Sequence, residues 1–167
     1  TCLRTSIMAA PQMQAKEIAR LIETIAAPKQ GERMLFITDY SSSGRPDSKR
    51  FGRAELLSRW YAAALQLSNE LNFHLLPIVK YLETGKGNAD LPTAAATHDG
   101  GHVDNLESLI SSANIAIAMT EYSATAPLKN IASHSPNLRV ISMPGVTAEM
   151  EGAMSADYRK IHERGKR

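Results

Sequence analysis

Residues 34–39 read Met-Leu-Phe-Ile-Thr-Asp, four consecutive apolar side chains that close on a polar end. Successive side chains of a β-strand point to opposite faces, so a strand apolar at every position needs cover on both sides. Helices packed on both faces of a parallel sheet supply that cover. A second run, Ile115-Ala116-Ile117-Ala118-Met119, makes the same demand. Neither approaches the ~20 residues of a membrane span, so both read as central strands of a layered α/β protein.

The rest of the chain fits that frame. Ile18, Leu21, Ile22 and Ile25 recur at helical spacing and predict a helix over residues 12–26, ended by Pro28 and Gly31. Residues 41–53, SSSGRPDSKRFGR, form a polar loop that leads into the stripe Leu56, Leu57, Trp60, Ala64, Leu67 and Leu71 of a second helix. Residues 73–79 predict a strand that Pro77 confines to an edge or a bulge. Residues 83–102 show little periodicity and read as a long loop. Asp104 with Glu107 reads as a capping box opening a helix through Leu106, Leu109 and Ile110. A short helix carries Leu128 and Ile131, residues 138–142 form a strand, and a last helix starts near Thr147. The expectation is a three-layer, Rossmann-like α/β fold: a mostly parallel sheet of about four to five strands with helices on both faces. It divides into a tail (1–14), the α/β domain (15–146) and a C-terminal helix (147–167).

Charge and cysteine content limit the function classes. A net charge of +2 gives no electrostatic footprint for nucleic acid or a membrane surface. The lone cysteine, Cys2, excludes an internal disulfide and points to a reducing, cytoplasmic compartment. On its tail it has no rigid base to activate it, and neither G-x-S-x-G nor H-E-x-x-H occurs. The basic ending YRKIHERGKR reads as an exposed helix end.

Ligands of open α/β sheets lie beyond the carboxyl ends of the strands, which directs attention to residues 39–53, 81–103, 120–125 and 143–148. Asp39, Ser41, Ser43 and Arg45 in the first of these, with Glu121, Ser123 and Thr125 in the third, are the ligand-binding candidates. The hydroxyls of residues 41–43 beside Arg45 suit a phosphorylated ligand. Without a G-x-G-x-x-G or Walker pattern, the same loop reads first as solvated surface. His98 and His102, in HDGGHVD, have the chemistry of zinc or iron ligands, but two glycines separate them in a loop where Asp104 is committed to capping. His74, His134 and His162 stand alone and read as structural or surface residues.

Three blocks carry a family resemblance: GERMLFITD (31–39), SANIAIAMTEYSATAP (112–127) and LRVISMPGVTAEMEGAMSADY (138–158). Together they resemble the N-terminal domain of the aminopeptidase T family, the thermophilic leucyl aminopeptidases, which are dinuclear metallopeptidases. The bacterial 2,5-dihydroxypyridine dioxygenases, which use iron, are relatives of that family. The likeness runs from about Ala15 onward and is weakest over 83–102 and in the loop after Asp39. It implies that the divalent metal (zinc, cobalt, manganese or iron) and its ligands belong to a C-terminal domain absent from this sequence, so no catalytic residue is assigned here. It also implies a scaffold that helps wall a substrate cleft and meets a second domain, a partner subunit or another copy of itself. The stripe Met150, Met154, Tyr158 and Ile161 is the expected contact face. The equivalent domain of a dioxygenase and a stand-alone binding module for a phosphorylated ligand are the alternatives.

Overall fold

The computed structural model describes residues 12–45 and 47–154. Its elements are α1 (Ala15–Ala26), β1 (Arg33–Tyr40), α2 (Ser48–Leu71), β2 (His74–Leu75), β3 (Val79–Leu82), β4 (Ala95–Thr97), β5 (His102–Val103), α3 (Leu106–Ser111), β6 (Ile115–Ala118), α4 (Thr125–Ser133) and β7 (Arg139–Ser142). Residues 148–154 are helical and are called α5. The strands form one mixed seven-stranded sheet in the order β5-β4-β3-β1-β6-β7, with β2 also paired to β1. The expected α/β architecture is present. The strand count exceeds expectation because of β2 and the β4–β5 pair.

Alternation along β1 divides the core. Met34 and Phe36 join Ile18, Leu21 and Ile22 of α1 and Leu56, Leu57 and Trp60 of α2 on one face. Leu35 and Ile37 join Leu106 and Ile110 of α3 and Leu128 and Ile131 of α4 on the other. The whole side-chain set of β1 between 34 and 37 is thus buried, as its unbroken apolar run requires. Met13, in the stretch read as a tail, is part of the first cluster. Ile25, assigned to the buried stripe of α1, is instead 41% exposed, and Ala26 takes the inward position.

Several local expectations are corrected. Pro77 does not bulge the second strand, and only its first part, β2, is left paired on one side alone. Pro77 splits the strand into β2 and β3, which both pair with β1 in parallel, while β4 covers the far side of β3. A proline lacks the N–H that a continuous ladder needs. Residues 83–102 are not structureless: β4 pairs antiparallel with β3, and β5 with β4. The polar loop after β1 ends at Asp47, whose carboxylate accepts from the Lys49 N–H at 2.9 Å and starts α2 inside the segment read as loop. The cap of α3 is Asn105, accepting from the Ser108 N–H at 2.9 Å, and not Asp104. No described helix is long and apolar enough to cross a membrane.

Candidate functional site

In the order β3-β1-β6-β7 the chain winds away from β1 in both directions, so the switch point lies between the carboxyl ends of β1 and β6. Asp39 fills it. Its Oδ1 accepts from the Glu121 N–H at 2.8 Å and its Oδ2 from the Tyr122 N–H at 3.2 Å, with Arg50 Nη1 4.0 Å away. The crevice where an open sheet would take an anion is closed by the chain's own carboxylate. Burial and the Asp39 charge raise the pKa of the neighbouring Tyr81 hydroxyl, so it stays neutral.

The serine loop shows the same economy. Glu83, just past β3, accepts from the Ser42 N–H at 3.1 Å, the Ser42 hydroxyl at 3.2 Å and the Ser41 hydroxyl at 3.4 Å, and Arg50 Nη2 pairs with its second oxygen. The Ser42 N–H first, then Arg50, hold the Glu83 carboxyl below the usual carboxylate range. The donors that sequence offered to a phosphate are arranged around a carboxylate, and that carboxylate is Glu83. Ser43 shares a hydrogen bond with Ser41 at 2.9 Å, while Arg45 is exposed. Glu121 Oε2 lies 2.7 Å from Arg53 Nη2, which is 5% exposed.

Ser123 and Thr125 belong to a different cluster. The Ser123 hydroxyl reaches Asn88 Oδ1 at 3.1 Å and Thr125 Oγ1 at 3.0 Å, and Thr125 Oγ1 donates to the Ser142 hydroxyl at 2.9 Å. They stitch the loop after β3 to α4 and β7.

His98 and His102 do not converge on a common point. Nδ1 of His98 accepts from the Ile78 N–H at 2.9 Å, and its ring stands edge-on to Tyr61 with centroids 5.4 Å apart. His102 pairs with Asp104 at 3.0 Å on the exposed side of β5. Among the described residues no three His, Cys, Asp or Glu side chains converge in a way that could hold a metal ion.

A cavity of about 1000 Å³ lies on the α2 face of the sheet. The first half of α2 forms one wall, through Arg50, Phe51, Arg53 and Leu57. The floor is Thr38 of β1, Ile78 and Lys80 beside it, and His98 after β4. Lys80 and Glu83 had no signal in sequence, because their relation to α2 depends on strand pairing.

The turn over residues 143–147 is a joint. Gly145 adopts φ +66°, and its N–H donates to the Thr120 carbonyl at 2.7 Å. Thr147 Oγ1 accepts from the Met150 N–H at 3.4 Å and caps α5. Glu151, in the first turn of α5, is fully buried and accepts two hydrogen bonds from Arg59 of α2 at 2.9 and 2.7 Å. Of the expected contact stripe, Met150 is 51% exposed and Met154 packs on the α1–α2 cluster. Tyr158, Ile161, Cys2, His162 and the basic ending lie outside the described residues.

No protein-family model matches this chain, and neither does any curated protein or solved structure.

Proposed function

We propose that the chain is the non-catalytic α/β domain of an aminopeptidase-T-like metalloprotein, walling a substrate cleft while a second domain supplies metal and reacting atoms. One observation supports the reading above others. The three blocks that carry the resemblance are contiguous in space, as the adjacent parallel strands β1, β6 and β7. Their carboxyl-end loops are laced together by the Asp39 bonds to residues 121 and 122 and by the Gly145–Thr120 bond. The segments that resemble the family least, residues 83–102 and the loop after Asp39, lie together around β3 and β4 on the other side of β1. A half-sheet that carries the resemblance beside an edge that departs from it suits a scaffold that presents different clefts on one frame.

The test uses the 167-residue protein with a leucyl anilide and added cobalt, zinc or manganese. No turnover is expected, and clear metal-dependent hydrolysis by this chain alone would overturn the proposal. Intact-mass measurement of the cellular protein should show a polypeptide well above 18.2 kDa. Its metal content separates the peptidase from the iron-dependent dioxygenase relatives.

A further inference from the structure

The charged groups around the α2-face cavity are unequally satisfied. Most nearby carboxylates are engaged: Asp39 by two backbone N–H groups, Glu83 by Ser41, Ser42 and Arg50, Asp47 by the Lys49 N–H and Asp99 by the Thr97 hydroxyl, while Glu121 faces Arg53 at 2.7 Å but its Oε2 accepts no hydrogen bond. Several donors also remain. Arg53 is 5% exposed, and its Nε has no partner; Arg50 Nη1 is also buried without a hydrogen bond. Lys80, exposed at the cavity floor, has no acidic partner among the described residues. Because Nδ1 of His98 accepts from Ile78, the ring is left with Nε2 as its donor. Unpaired buried donors are costly, and both arginines that carry them belong to the wall of this cavity.

We propose that this cavity is a binding site for a small organic carboxylate with an apolar body. The carboxylate would lie among Arg53, Lys80 and His98. The body would lie on Phe51, Leu57 and Ile78, where Phe51 is 73% exposed with no described cover. A single negative charge suits the setting better than two, since Asp39, Glu83 and Glu121 all lie close by and repel a dianion more strongly than a monoanion. The site uses only side chains of this chain, so it stands or falls separately from the family assignment.

Titration of the isotopically labelled 167-residue protein with benzoate and hexanoate, followed by NMR, tests the proposal. Saturable shifts are expected at the amides of Leu57, Ile78 and Lys80. Benzamide and hexanamide, of equal shape but uncharged, should bind about tenfold more weakly. Lys80→Met, at an exposed position with no structural duty, should weaken benzoate about tenfold while leaving the rest of the spectrum native. Equal binding of acids and amides, tighter binding of inorganic phosphate, no saturation, or unchanged affinity in Lys80→Met would each overturn it.

Discussion

Glu32, at the entry to β1, and Arg139, opening β7, fasten the amino-terminal edge of the sheet to the end of α1. The two guanidinium nitrogens Nη1 and Nη2 meet the two carboxylate oxygens at 2.9 and 2.7 Å, and Nε and Nη2 also donate to the Ala26 carbonyl at 3.1 and 2.9 Å. Arg139's hydrogen bonds, aided by the Lys29 N–H, lower the Glu32 pKa from 4.5 to about 2 against a smaller cost of burial. A shift of that size corresponds to a ceiling of ~3.5 kcal/mol at ~1.4 kcal/mol per unit. Arg139 is 40% exposed, so solvent screening reduces the expected contribution; ~1–2 kcal/mol remains. Because the folded pKa is the lower one, the stabilisation is complete above the unfolded value and fades as pH falls from 4.5 toward 2. Glu32→Gln removes the titration. Urea unfolding should therefore show the native protein ahead of the variant by ~1–2 kcal/mol near neutrality, with the gap narrowing below pH 4.5 and closing only toward about 2. A gap as large in acid as at neutrality would refute the reasoning.

Arg59→Met leaves the fully buried Glu151 carboxylate without its partner, and unfolding should register a loss of ~3 kcal/mol. The double change Arg59→Met with Glu151→Met should recover most of it, because the charge and its desolvation vanish together. Two glycines separate backbone strain from space, since an added Cβ meets nothing within 4 Å at either. Gly52→Ala, inside α2, should raise stability by ~0.5–1 kcal/mol. Gly145→Ala, at φ +66°, should lower it by ~1 kcal/mol. Opposite shifts in melting temperature are the check, and shifts in one direction would contradict the assignment.

The layers were legible in the sequence because they rest on local periodicity. The run at residues 34–37 and the run at 115–118 each announce burial on two faces, and both strands lie at the centre of the sheet. Short elements were not legible. Neither β4 nor β5 is longer than three residues, and both are held by pairing with a strand elsewhere rather than by a pattern of their own. The start of α2 was hidden because its first turn is polar, and only the Asp47 cap defines it.

Charged residues were the hardest to place, for a related reason. A sequence displays donors and acceptors but not which of them satisfy one another. Residues 41–45 resembled an anion cradle because their hydroxyls and amides are adjacent in the chain, whereas Glu83, their occupant, is 41 residues from Ser42. Nothing near Glu151 in the chain announces its burial, because its partner Arg59 is 92 residues away. Once each carboxylate is matched to its partner, the hydroxyls of Ser41 and Ser42 are committed to Glu83. Unspent donors remain at Arg53 Nε and at Lys80, on different elements and without any motif between them. A binding site of this kind is a remainder left by the folded network of pairs, so it becomes visible only after every nearer pairing has been subtracted.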